Sequence, residues 1–280
     1  MYKQKIGISI ASRYSEPLAQ VLKIIKDVGF DAVSPIWTTP QTLEETVAIS
    51  KDLKLELQSL HAPFLKAAAM WNSDPAISDP AKKELFDMID ACVKYDIPLT
   101  VVHPWIGFDY KFDNSSLYFD NFDKVVSYAQ SKGVKIAFEN TEGGEYLFAL
   151  MDRYKENDTV GFCWDSGHEM CYNHSRDLLA DFGDRLIMTH LNDNLGISRF
   201  DGKTYWTDDL HLLPFDGVAD WDYNIERLSR SKRMDILNFE LTTESKPNRH
   251  ENDVYAKMSL VEYFTQAYIR ACRIAYRYSK

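Results

Sequence analysis

Residues 135–168 read KIAFENTEGGEYLFALMDRYKENDTVGFCWDSGH, and this one stretch carries a strand, a helix and a second strand. Lys135–Phe138 is a short apolar run, Tyr146–Tyr154 has apolar residues at helical spacing, and Val160–Trp164 is again an apolar run of strand length. Strands alternating with helices predict parallel pairing, because a parallel return needs a crossover connection.

The same alternation extends in both directions. Upstream it gives strand Lys5–Ile10, helix Pro17–Val28, strand Asp31–Trp37, helix Leu43–Leu53, strand Leu55–Leu60, helix Ala81–Tyr95, strand Leu99–Val102 and helix Ser116–Ser131. Downstream come helix Ser175–Phe182, strand Leu186–Thr189, helix Asp222–Ser231, strand Asp235–Phe239 and a long helix from about Asp253. Eight strand-then-helix units in 280 residues, with no Pro/Ser-rich linker, predict an α/β fold of the (β/α)8 TIM-barrel type, a single domain over residues 1–280. A doubly wound open sheet would carry a GxGxxG turn after an early strand, and the sequence has none.

Composition agrees with a folded, water-soluble chain. Fifteen Phe, sixteen Tyr and six Trp supply enough apolar surface to offset chain entropy, which excludes disorder. No apolar run approaches the roughly 20 residues of a membrane helix, and Met1–Gln4 begins no signal-peptide core, so a cytoplasmic location without membrane contact is expected. Thirty-two Lys+Arg against forty-two Asp+Glu give a net charge of −10, which argues against nucleic acid as a partner. The four cysteines, Cys92, Cys163, Cys171 and Cys272, form no CxxC pair and read as buried free thiols.

In such a barrel the chemistry sits at the C-terminal strand ends. The third strand ends at His61, the fourth at His103, the fifth at Glu139, the sixth at Asp165 and His168, the seventh at His190 and the eighth at Glu240. The loop after the seventh adds Asp209 and His211. One histidine at such a position is ordinarily a hydrogen-bonded structural residue; five of the seven, with three carboxylates at matching strand ends, point to a divalent cation. Ligation by N and O suits Mn, Mg, Co or Zn, and the missing thiolates argue against structural zinc.

Neighbouring groups carry less. Glu142, Asp193, Asp208 and Asp216 read as solvated or helix-capping carboxylates, whereas Glu145, six residues after Glu139, is within reach of substrate or is a first-turn helix charge. Phe64, Trp105, Trp164 and Trp206 are pocket walls or plain packing, and His174 and His250 surface residues. Arg199, Lys203, Lys246 and Arg249 are the basic residues placed to meet a phosphate. Tyr263, Phe264, Tyr268 and Tyr276 read as the packing face of the last helix, and a homo-oligomer is left open.

The segments FENTEGG, GFCWDSGH, THLNDN and DLHLLPFDGVADW resemble the xylose-isomerase-like barrel superfamily of sugar and sugar-phosphate isomerases and epimerases, related to the endonuclease IV type of abasic-site nuclease. The resemblance implies one metal on Glu139, Asp165, His190 and Glu240, with His168 contacting substrate. It also implies, on the nuclease side, further zinc ligands at His61, His103, His168, Asp209 and His211. PFDGVADW looks like the family's PGxGxxDW turn with Phe215 in place of the first glycine, and a Phe where φ is positive is costly.

The expected activity is therefore metal-dependent isomerisation or epimerisation of a sugar, sugar phosphate or related keto-polyol through an enediolate, with Glu139 and Glu240 as acid/base pair and His168 on a substrate oxygen. The rivals are multi-zinc hydrolysis of abasic DNA, a dehydratase on the same ligands, and a non-catalytic metal- or sugar-binding barrel. The acidic charge weighs against DNA, and a mere binder has no need of two facing glutamates.

Overall fold

The computed structural model describes residues 4–10, 14–199 and 201–280. Residues 1–3, where the stretch read for a signal sequence begins, and Phe200 in the 197–205 loop lie outside it. The chain runs β1 (Lys5–Ile10), α1 (Leu18–Val28), β2 (Ala32–Pro35), α2 (Pro40–Leu53), β3 (Glu56–Leu57), β4 (Leu60–His61) and α3 (Pro75–Lys94). It continues with β5 (Leu99–Val102), α4 (Asp120–Lys132), β6 (Lys135–Glu139), α5 (Gly144–Arg153), β7 (Val160–Asp165), α6 (Ser166–Cys171) and α7 (Leu178–Phe182). Last come β8 (Leu186–His190), α8 (Trp221–Arg230), β9 (Ile236–Phe239) and α9 (Leu260–Tyr278).

Every strand pairing is parallel, in the orders β3–β2–β1–β9 and β4–β5–β6–β7–β8. Parallel bridges between Ile36 and His61 and between Leu191 and Phe239 join the two ribbons at both seams. The sheet thus curls into the expected barrel. The segment read as one third strand is interrupted at Gln58–Ser59: β3 pairs with β2, and β4 pairs with β5 while His61 still bridges to Ile36 beyond the end of β2. The Gln58 side chain meanwhile reaches across to the Ile236 carbonyl at 3.3 Å.

Strand alternation places the site. Leu99 and Val101 of β5, Ala137 of β6, Cys163 of β7 and Met188 of β8 form a small apolar cluster apart from the main core. Two residues further along the same strands stand His103, Glu139, Asp165 and His190, so side-chain alternation sets them on the same face, one layer above that floor. The larger core lies around Trp164, Phe138, Phe162, Phe239 and the helices, including Tyr263 and Phe264 of α9. Tyr268 packs on Phe30 at 5.2 Å, whereas Tyr276 is exposed.

Other boundaries moved for local reasons. α3 starts at Pro75 under an Asp74 cap and carries Pro80 within it, and α9 waits for the Ser259–Glu262 capping box rather than starting at Asp253. α6 follows β7 directly because Asp165 caps it, accepting from the His168 N–H at 2.7 Å. Among the described residues no cysteine forms a disulfide, and Cys92, Cys163 and Cys171 are buried. Among the described residues no helix is long and apolar enough to cross a membrane.

Candidate metal centre

Glu139, at the end of β6, is the hub and is fully buried. Its Oε2 lies 3.2 Å from His61 Nε2 and 3.2 Å from His103 Nε2, and its Oε1 2.8 Å from His190 Nδ1. Glu240, one residue past β9, brings Oε2 to 2.7 Å from the same His190 nitrogen. Donor atoms of Glu139, Asp165, His190 and Glu240 all lie within 4.8 Å of one another. So do those of His61, His103 and Glu139, and those of His168, Asp209 and His211. His168 Nε2 is 3.4 Å from Asp209 Oδ1, and His211 Nε2 is 3.0 Å from Asp209 Oδ2.

This donor set fits a divalent cation. Three carboxylates converge where burial disfavours negative charge, which a bound cation would relieve; without one, burial pushes Asp165 up toward its neutral form, while Asn192 donates to both of its oxygens. Burial pushes Glu139 up, but the charge of His190 and hydrogen bonds from His103, His190 and His61 hold it well below the ordinary carboxylate range. Glu240 is held at about 2 against burial by His190. Burial pushes His168 and His190 down, yet the surrounding carboxylates, with Cys163 beside His190, raise both well above an ordinary imidazole. His211 reaches about 9 against burial because of Asp209. Imidazolium protons thus supply the charge that a cation would supply. His103 Nδ1, His190 Nε2 and Asp209 Oδ1 are buried without a hydrogen-bond partner among the described residues. Cys163 lies near Glu139 and His190, but burial pushes its thiol up to about 12, which leaves it a poor donor beside the carboxylates.

The supporting residues were not legible as site residues. Asn192 donates to both oxygens of Asp165, at 3.1 and 2.9 Å. A Cβ on Gly167 would stand 1.9 Å from the Asn192 Oδ1, so that glycine serves close approach. Asn140 Oδ1 accepts from the Asp165 N–H at 2.7 Å, and its carbonyl meets His168 Nδ1 at 3.0 Å.

Several minor expectations need correction. Asp193 is fully buried, not solvated: it accepts from the N–H groups of Asn194, Phe215 and Ala219 and from Trp221 Nε1, all at 2.8–3.0 Å. Those bonds hold Phe215 at φ 74°, the left-handed conformation its sequence position implied. Buried Asp208 pairs with Arg249 at 3.0 Å, and Glu142 accepts from the Gly107 N–H at 2.8 Å. Asp216 is exposed and bonds Tyr255 and Arg270. Glu145 stands in the first turn of α5, one of its two readings, and accepts from the Tyr110 hydroxyl at 2.9 Å.

The donors open into a cavity of about 770 Å³ whose wall includes Phe64, Phe108, Tyr172, Trp206 and Lys246. Phe64 stacks on His103 at 4.8 Å. Trp105 instead stacks on Tyr146 at 4.1 Å, and Trp164 is core, donating to Glu169 at 3.0 Å. Lys246 is the one lysine or arginine on this wall among the described residues, and it is paired with Asp209 at 3.3 Å. The wall carries five carboxylates, Glu139, Glu142, Asp209, Glu240 and Glu244. Arg199 is paired with Asp201, and His250 with Asp253 at the surface; His174 is exposed.

Comparison with known proteins follows this geometry. The Sinorhizobium fredii protein y4fM is 29% identical over 270 residues, covering 81% of this chain and 82% of that protein. The IolI protein with a bound zinc atom superposes with a TM-score of 0.78 at 19% identity, covering 98% of this chain and 99% of that one. An L-ribulose 3-epimerase gives 0.73 at 14% identity, covering 98% and 96%. These structural likenesses show the fold. The model of the xylose isomerase-like TIM barrel matches residues 22–259, across the strand ends that carry the donors, and the chain belongs to that family.

Proposed function

We propose that the chain is a divalent-metal-dependent isomerase or epimerase of a keto-sugar. The observation that carries this reading is the pairing of Glu139 and Glu240, brought by different strands to one nitrogen of His190 and both on the cavity wall. Glu139, Asp165, His190 and Glu240 would hold the ion, which supplies Lewis-acid polarisation of a substrate carbonyl. One glutamate takes the proton from the carbon beside that carbonyl. The C–H electron pair becomes the double bond of the enediolate, and the other carboxylate returns a proton to the opposite face or the neighbouring carbon. His168, on the wall and fixed by the Asn140 carbonyl, orients a substrate oxygen.

The acidic wall favours a neutral sugar over a phosphorylated one, since the lysine on it is already paired. The epimerases among the similar structures support the same reaction class. Incubation of Mn-loaded protein with a panel of keto-sugars in D2O should place deuterium on carbon; no uptake from any of them would defeat the proposal.

Multi-metal hydrolysis of abasic DNA is the second reading, favoured by the two further donor groups, His61–His103–Glu139 and His168–Asp209–His211. The carboxylate-rich wall repels a phosphate backbone and ranks it second.

A further inference from the structure

The carboxylates on the wall of the metal-lined cavity are not equally matched by positive charge. Glu139 and Glu240 both face His190, and Asp209 faces His168, His211 and Lys246. Glu142, on the same wall, is buried at 6% exposure and has no lysine, arginine or histidine partner among the described residues. Its carboxylate meets one donor there, the Gly107 N–H at 2.8 Å. Gly107 stands at φ 115°, a conformation that suits glycine, and its carbonyl accepts from the Trp105 indole at 2.9 Å. The loop that holds Glu142 is therefore braced from both sides, and the carboxylate is fixed in the wall instead of swinging out to water.

Two rings border it. Phe108 follows Gly107, Tyr172 meets Phe108 edge-on at 5.4 Å, and both line the cavity with Glu142. Burial pushes the Tyr172 hydroxyl well above its ordinary range, and Asp209, Cys171 and Glu142 add to it, so this ring stays neutral. A fixed carboxylate without a counter-charge, beside neutral aromatic rings, is complementary to an ammonium group. A hydroxyl would satisfy an oxygen but leave the buried charge unbalanced, and a phosphate or carboxylate would be repelled.

We propose that the substrate is an amino sugar, its carbonyl and neighbouring hydroxyl toward Glu139 and Glu240 and its ammonium group on Glu142 beside Phe108 and Tyr172. The inference rests on reading the metal-lined cavity as a sugar site and adds the substrate class. The ammonium group fixes the sugar's direction and takes no part in the bond changes, so the reaction needs no further reactant.

The test compares binding of 1-amino-1-deoxy-D-glucitol and D-glucitol to the Mn-loaded protein by calorimetry at neutral pH, where the amine is protonated. The amine should bind at least about tenfold tighter. Glu142→Gln keeps an acceptor for the Gly107 N–H and removes the charge, and should bring the ratio near one. Phe108→Leu removes a ring and should lower the ratio about threefold. Equal affinities, binding by neither compound, or a preference that survives Glu142→Gln, which would place the amine on the metal, would overturn the proposal. Deuterium uptake is read separately, from 1-amino-1-deoxy-D-fructose and from D-fructose. A Glu142-dependent preference without uptake leaves the ammonium site standing and removes the isomerase reading, whereas uptake without preference removes the ammonium site alone.

Discussion

The Asn192 amide spans both carboxylate oxygens of Asp165, and it can do so because Gly167 has no side chain. The two motifs DSGH and HLN are therefore halves of one device, fixing the orientation of a metal ligand from the neighbouring strand. Gly167→Ala should push Asn192 away and weaken metal binding by about 10–100-fold, the usual effect of losing a ligand's hydrogen-bond partner. Chelator competition measures this; wild-type affinity in a folded variant would show that Asn192 does not govern Asp165.

Glu139 and Glu240 differ in burial, and their variants should differ too. Glu240 is partly open to the cavity, with 19% of its side chain exposed, whereas Glu139 has none. Glu240→Gln should lower deuterium exchange by about 10²–10⁴-fold with little loss of stability. Glu139→Gln should abolish exchange and also destabilise the fold by about 3 kcal/mol, because His61, His103 and His190 lose their shared anion. Near-wild-type exchange in either variant removes that residue from proton transfer.

Asp193 predicts a purely structural effect. Its carboxylate satisfies four donors around the Phe215 turn, and a Cβ on Gly217 would lie 2.2 Å from its Oδ1. Asp193→Ala should cost on the order of 3 kcal/mol in urea unfolding, since four donors are left unpaired and the Phe215 turn loses its hydrogen-bonded anchor. A loss below about 1 kcal/mol would mean water replaces the carboxylate at no great cost.

The barrel and its donor ring were legible because the later strands are apolar runs ending on a polar residue, as at VVHP and MTHL. Alternation alone then puts His103, Glu139, Asp165 and His190 on one face. What escaped depends on groups remote in sequence. Asp193 looks like any loop carboxylate until Phe215, Ala219 and Trp221 return to it. Glu142 is buried and accepts from the Gly107 N–H, a partner 35 residues away that its local sequence does not announce. Helix α6 has six residues, too short for a periodic signal, and its cap is the same Asp165 that reads as a ligand.

Metal content separates the two readings of the site. One ion per chain, measured by elemental analysis after purification without chelator, is expected if Glu139, Asp165, His190 and Glu240 form the working group. Three ions would fill all the donor groups and move the phosphodiesterase reading to the front.

The charge state of His211 gives the metal-free chain a pH dependence of definite sign. Its value of about 9 in the fold lies above the roughly 6.5 of an unfolded histidine, burial being outweighed by Asp209. A raised value stabilises the fold fully below about pH 6.5, and that contribution disappears as pH climbs through about 9. His168 and His190 are raised as well and act in the same direction. Glu240, at about 2, changes only at the acid end and is silent here. The thermal midpoint of the metal-free protein should therefore fall between pH 6.5 and 9.5, with His211 contributing about 3 kcal/mol at most. Metal affinity should rise over the same interval, because the protons that leave are those a cation displaces. His211→Asn keeps a residue that tolerates the φ of 48° and should flatten part of the slope. A midpoint that stays level or rises from pH 6.5 to 9.5 would show that these imidazoles are neutral in the folded chain.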